Sequence, residues 1–379
     1  MTYKLKDGFV LRKVGPMYMA VPFGTRASEL KGMVSLSETG YLLWKALETG
    51  TDTLEGLVAA LRAEYDVSEE QATADTQAFL DSLREQGSMR PEEHKLEDFI
   101  GPFNIQFLAM RKWCKETRSP FSLTLEMTPL CNFNCPMCYV HLSRAEMEKR
   151  GKPLSAAQWL EITRQFAEMG LVAVNLSGGE PLTRPDFWEI YEGISRQGIY
   201  PSLFTNGALL DERAVEHLLR FPPRGVKLSL YGADNETYAA MCGDPHGFDK
   251  VNHAIDLLRA AEIPLQVTST LVKQNKSDLD KLEAYAQEKK LGLEITTGVN
   301  ASARVPENDP RESRLEDRIE DLDLKKLSGY RHKPIETPFS NCSPYGCSGV
   351  ITWHGHLQVC AFFEGEYVQL TEPYDIPAA

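Results

Sequence analysis

The sequence predicts an α/β fold from about residue 120 onward, preceded by a small α+β module. Three observations carry this. Strand-like and helix-like stretches alternate between about residues 120 and 300. The first 90 residues instead run three short strands and then three helices. Polar, glycine-rich or cysteine-bearing residues recur directly after the strands of the alternating part.

In the first 90 residues, "FVLRKVG" and "MYMAVP" are short, partly alternating runs separated by Gly-Pro, which predicts a hairpin. A third strand is expected around "LKGMVSLS". The period then changes. "ETGYLLWKALETG" reads as a helix closed by Gly50, and "TLEGLVAALRAEY" sets Leu54, Leu57, Val58 and Leu61 on one face. "SEEQATADTQAFLDSLREQG" opens with Ser68 and Gln71 at capping-box spacing. The module has no cysteine or histidine, so binding is expected of it rather than chemistry. Residues 91–117 read as a charged linker with one amphipathic helix.

Next come "FSLTLEM", "LVAVNLS", "YPSLFTN", "GVKLSLY", "PLQVTSTLV" and "LGLEITTG" as strands, with helical stretches between them. Such alternation implies βαβ units and a parallel sheet. Six units fit an incomplete barrel or a flat doubly wound sheet, and periodicity does not choose between them. Residues 302–335 are polar and charged.

Composition narrows the function classes. Asp and Glu number 54 against 41 Lys and Arg, a formal net charge of −13, which argues against non-specific binding of nucleic acid or membrane surfaces. No run of apolar residues is long enough to span a bilayer, and the N-terminus lacks a secretory signal, so a cytoplasmic protein is expected. In that reducing setting the eight cysteines suggest metal binding rather than disulfides. Six fall into two clusters: 131, 135, 138 and 342, 347, 360. Cys114 and Cys242 stand alone and read as small apolar fillers.

In parallel α/β folds the ligand sits at the carboxyl ends of the strands. There the chain places Cys131, Cys135 and Cys138, then "SGGEP" (177–181), "TNG" (205–207), "SLYG" (229–232) and "TST" (268–270). Thiolates bind zinc or iron–sulfur clusters. Three cysteines on a four-iron cubane leave one iron free. Gly178 and Gly179 are expected to let backbone approach a ligand, and Glu180 to accept hydrogen bonds from an amino group.

C-x3-C-x2-C after the first strand, with GGEP after the second, resembles the radical S-adenosylmethionine (SAM) superfamily over roughly residues 118–300, within a core expected to run over 118–335. The resemblance implies a partial (β/α)6 TIM-like barrel with a [4Fe–4S] cluster on Cys131, Cys135 and Cys138. It implies SAM chelated at the fourth iron, its amino group held by Gly178, Gly179, Glu180 and Pro181. Met137 and Tyr139 match positions near the adenine, and Asn206 and Ser229 polar contacts on the same rim. The implied chemistry is hydrogen abstraction by a 5′-deoxyadenosyl radical, with an electron donor such as flavodoxin or ferredoxin.

Residues 336–379 carry Cys342, Cys347 and Cys360, the last two framing C-x7-G-x4-C around Gly355. This resembles the opening of a SPASM or twitch domain and implies an auxiliary [4Fe–4S] cluster. "GVITW-HG-HLQVC" reads as a hairpin bringing Cys347 and Cys360 close, with His354 and His356 as turn residues. A full SPASM domain continues with more cysteines; here either the segment is truncated or three cysteines act with another ligand.

The first 90 residues resemble PqqD, a winged-helix-like recognition element for ribosomal precursor peptides. The resemblance implies leader-peptide binding by strand addition in the groove of the third strand and third helix. The expected function is a peptide maturase forming an intrapeptide crosslink, first a Cys thioether as in sactipeptides and ranthipeptides, second a carbon–carbon bond. A radical activase or small-molecule modifier whose first module binds a partner protein is the alternative.

Overall fold

The structure, a computed structural model, describes residues 3–30, 32–88, 101–299, 309–315, 347–359 and 367–372. The chain divides into two compact units, one of residues 1–117 with 196–198, the other of 118–195 and 199–379.

In the first unit, β1 (Phe9–Val14) and β2 (Met17–Pro22) form the expected hairpin, with Val14 opposite Met17 and Gly15-Pro16 in the turn. A short helix α1 (Thr25–Glu29), which the sequence pattern did not announce, precedes β3 (Val34–Leu36). The sheet order is β1-β2-β3, all antiparallel, so β3 is an edge strand. Helices α2 (Glu38–Glu48), α3 (Leu54–Glu64) and α4 (Glu69–Ser88) follow, α2 and α3 capped by the hydroxyls of Ser37 and Thr53. Leu43, Leu57, Val58, Leu61, Ala72 and Leu80 form their common core, with Leu54 half-buried against it. Only half of the predicted capping box on α4 forms: Ser68 caps Gln71 N–H, but the Gln71 side chain turns to Asp75 (2.8 Å). A helix α5 (Gly101–Thr117) closes the unit and buries Met110 and Cys114.

The second unit is built on one sheet. The six predicted strands are β4 (Ser122–Glu126), β5 (Ala173–Ser177), β6 (Tyr200–Thr205), β7 (Gly225–Ser229), β8 (Leu265–Thr270) and β9 (Leu293–Thr296). They are parallel and ordered as in the sequence, β4 through β9. A doubly wound sheet reverses its order at a switch point. This one does not, so the crossovers wind one way, as in a barrel. The helices of the crossovers are α6 (Arg144–Arg150), α7 (Ala156–Glu168), α8 (Phe187–Arg196), α9 (Glu212–Arg220), α10 (Asn235–Cys242), α11 (Gly247–Ala260) and α12 (Leu279–Glu288).

The strand register separates two faces. Leu123, Leu125, Val174, Leu176, Leu203, Val226, Leu228 and Val267 share one face and are almost fully buried. The other face carries Thr124, Asn175, Ser202, Lys227, Gln266 and Glu294. Lys227 pairs with Glu294 (3.1 Å), which also accepts from Gln266 (2.9 Å). A filled barrel interior would hold branched aliphatics there; a polar face suits a ligand-receiving interior.

The C-terminal hairpin forms as expected from β10 (Ser348–Ile351) and β11 (His356–Gln358), and β12 (Tyr367–Gln369) pairs with β11. Gly355, at φ +92°, occupies its turn, where a side chain is strained. This segment continues the main sheet: β10 runs parallel to β4, giving nine strands in the order β12-β11-β10-β4-β5-β6-β7-β8-β9. Among the described residues, no helix is long and apolar enough to cross a membrane.

Candidate functional site

The three-cysteine loop leaves the carboxyl end of β4 and returns at α6. Its two ends are tied where Leu142 N–H donates to the Pro129 carbonyl (3.0 Å). Trp353, Leu142 and Met147 pack together beneath it. Arg184, which sequence reasoning missed, braces the same region: its guanidinium donates to the carbonyls of Met127 (2.8 Å) and Leu154 (2.9 Å) and pairs with Asp186 (2.8 Å).

Donors surround the sulfurs. Phe133 N–H points at Cys131 Sγ (3.4 Å), as does Asn206 Nδ2 (3.6 Å), and His141 N–H points at Cys138 Sγ (3.4 Å). Burial pushes the Cys131 thiol up to about 12, against the Phe133 hydrogen bond. Cys135 is raised well above the ordinary thiol range, first by its contact with Cys242 and then by burial. Sequence reasoning treated Cys242 as filler, yet its Sγ stands 3.7 Å from Cys135 Sγ and its carbonyl accepts from Asn134 N–H (3.0 Å). Nothing in local sequence announces a contact between residues so far apart in the chain.

The GGEP loop lies against this one. Gly179 N–H donates to the Thr128 carbonyl (2.6 Å), and Glu180 N–H to that of Leu130 (2.9 Å). A Cβ on Gly178, at φ +133°, would stand 2.4 Å from Thr128 O, and one on Gly179 2.1 Å from Leu130 O. The glycines therefore let the two loops touch, a role the sequence reading had given to ligand approach. Glu180 is fully buried. Its carboxylate accepts from Thr205 Oγ1 (2.8 Å), Asn206 N–H (2.8 Å) and Leu182 N–H (3.1 Å). Burial still pushes it up to about 7. It thus anchors the turn after β6 and, through it, Asn206. Asn206 Nδ2 in turn donates to Asn132 Oδ1 (2.8 Å).

Met137 and Pro181 are buried, and Tyr139 and Ser229 half-buried. Ser229 lies opposite Thr268 in the β7–β8 register, and the buried Thr268 hydroxyl has no protein partner among the described residues.

These residues fit the implied groups. No three His, Cys, Asp or Glu among the described residues converge on a point for a single metal ion. A four-iron cubane takes its cysteines at separate corners and so suits wider-set thiols whose sulfurs face N–H donors. The orphaned Thr268 hydroxyl suits a polar ligand above the sheet.

Cys347 is buried, and its carbonyl accepts from Phe121 N–H (2.7 Å) and Ser122 N–H (3.3 Å). It therefore sits at the amino end of β4, opposite the three-cysteine loop. The β10–β11 register carries the chain back toward it. Cys342 and Cys360 lie outside the described residues.

Comparison with known proteins agrees with this geometry. The radical SAM superfamily pattern matches residues 125–286, and that of coenzyme PQQ synthesis protein D (PqqD) residues 27–88. The PqqA peptide cyclase of Gluconobacter oxydans is 34% identical over 170 residues, which is 45% of this chain and 46% of that protein. The AdoMet-dependent heme synthase of Methanosarcina barkeri is 33% identical over 180 residues, 45% and 48% of the two chains. The match thus spans about half the length of these curated relatives. The crystal structure of Streptococcus suis SuiB bound to S-adenosylmethionine aligns over 99% of this chain and 88% of its own, with TM-score 0.52 and 15% identity. SuiB bound to its precursor peptide SuiA aligns with TM-score 0.52 and 16% identity over 100% and 89%. At that identity the likeness speaks for the fold. Residues 125–286 of this chain are a radical SAM domain, with a PqqD domain ahead of it at 27–88.

Proposed function

We propose that this chain is a radical SAM maturase that crosslinks a ribosomally made precursor peptide. The observation that carries this reading is the pairing, in one chain, of a PqqD domain with a radical SAM domain. The radical SAM part alone does not choose a substrate class, since it is equally similar to a peptide cyclase and to a heme synthase. The PqqD domain favours the peptide.

Cys131, Cys135 and Cys138 would hold the [4Fe–4S] cluster, with the GGEP loop, Met137, Tyr139, Asn206 and Ser229 around SAM. When bound, the reduced cluster and SAM supply a carbon radical that removes hydrogen from a peptide carbon. The chain's own residues position and shield. Glu180 holds the turn that carries Asn206, and Asn206 steadies Cys131. The polar face of the sheet receives the peptide, and the open edge of β3 takes its leader as an added strand. Such tethering raises the local concentration of the segment to be modified. Cys342, Cys347 and Cys360 would bind an auxiliary cluster, which would supply an acceptor for the electron released as the crosslink closes or a ligand site for a substrate thiolate. We assign residues 1–90 to recognition, 118–335 to the radical SAM core and 336–379 to the auxiliary segment.

The test is mass spectrometry of a co-expressed precursor encoded beside this chain. A product lighter by two hydrogens is expected, with one cysteine thiol no longer alkylatable for a thioether, or all thiols alkylatable for a carbon–carbon bond. The Cys131→Ala, Cys135→Ala, Cys138→Ala triple variant should leave the peptide unchanged and produce no 5′-deoxyadenosine. Retained cofactor cleavage by that variant would overturn the reading.

A further inference from the structure

The sulfurs of the three-cysteine loop are not served alike. Cys131 and Cys138 each face a backbone N–H from their own loop, of Phe133 and His141. The sulfur of Cys135 is instead met by the Cys242 thiol, 3.7 Å away and distant in sequence. We propose that Cys242 is a positioning residue that donates a hydrogen bond to the Cys135 sulfur and thereby raises the reduction potential of the cluster it holds.

The placement is built into the backbone. Cys242 is the last residue of α10 and is 2% exposed. Its carbonyl is held by the N–H of Asn134, the residue before Cys135, so the two thiols cannot drift apart independently.

Direction follows from chemistry. Once Cys135 binds iron as a thiolate it has only lone pairs to offer, so the proton in the Cys135–Cys242 contact belongs to Cys242. Adding an electron to the cluster increases negative charge on its sulfurs. Donors aimed at those sulfurs favour the reduced form and raise the potential. A thiol is a weak donor, so the shift that Cys242 carries is modest.

This inference rests on the radical SAM reading, and its test separates the two. The full-length chain, reconstituted anaerobically, is compared with Cys242→Ala, Cys242→Val and Cys242→Ser by iron content and by potentiometric titration followed by electron paramagnetic resonance. Full iron loading is expected throughout. Cys242→Ala and Cys242→Val should be harder to reduce, by up to about tenfold in the reduction equilibrium, or about 59 mV for one electron. Cys242→Ser, which keeps a donor, should stay near the parent potential. Cys242→Ala with full iron and an unchanged potential would overturn the proposal while leaving the cluster assignment intact. If Cys242→Ala does not load, Cys242→Val, which fills the space, decides, and an unchanged potential there overturns the proposal. A parent chain that binds no cluster removes both the reading and the inference.

Discussion

The two units solve different problems with the same kinds of element. The first buries aliphatic side chains between three helices and leaves the edge of β3 open. From Tyr3 to Ser88 it holds no cysteine or histidine. The second buries most of its strand aliphatics on one face of its sheet. The other face is largely polar, and its carboxyl rim gathers three thiols on one loop, a glycine loop that touches it and a buried carboxylate. One unit can hold a chain; the other can also hold a reactive group and keep it apart from solvent. The difference lies in where polar atoms are buried, because each such atom costs stability unless it meets a partner or a ligand.

That contrast can be broken from either side. The largest effect is expected at Gly179. An added methyl at Gly179→Ala meets the Leu130 carbonyl at 2.1 Å, so the GGEP loop must lift off the cysteine loop. Cofactor binding, followed by equilibrium dialysis with labelled SAM, should be lost, while the first unit keeps its fold. Next comes Leu61→Ala, at a position 1% exposed in the first unit's core. It should cost about 2–5 kcal/mol, read by urea denaturation. The iron content of the reconstituted chain should not change; if it falls, the units are not energetically separable.

The third effect is smaller and depends on pH. Burial pushes Glu180 up to about 7, while an unfolded glutamate ionises near 4.3. Between those values the folded chain keeps a proton that the unfolded chain has lost. Glu180's contribution to stability is therefore full below about 4.3, declines as pH rises to about 7, and is level above it, a loss of at most about 4 kcal/mol. Denaturation of parent and Glu180→Gln at pH 4 to 8 should show their difference falling over that window. A constant difference would mean that Glu180 is ionised throughout.

Much of this was legible in the sequence because the signals were local. Alternating apolar strands and helices stopped by Gly170 or Gly198 placed all six parallel strands. Cysteine spacing and the GGEP segment marked the rim. What stayed hidden was contact between distant segments. The Cys242 thiol reaches Cys135 only once α10 has packed, and Arg184 finds carbonyls on two other loops. The hairpin of β10 and β11 was readable, but its partner strand was not, since parallel pairing leaves no turn between the two. Spacing can also mislead: Ser68 and Gln71 share the separation of Ser155 and Gln158, yet only the latter pair completes a reciprocal cap, because Gln71 finds Asp75 instead.

The pairing of β10 with β4 also orders events in time. The strand leading into the cysteine loop is made long before its outer neighbour, which lies more than two hundred residues further along the chain. Until then the outer edge of β4 exposes unpaired backbone groups, a template for the wrong partner. Trp353, which packs under the loop beside Leu142 and Met147, arrives with the same late segment. The cysteine loop is therefore braced only once β10 has been made, and a chain that stops short of β10 keeps all three loop thiols beside an open sheet edge.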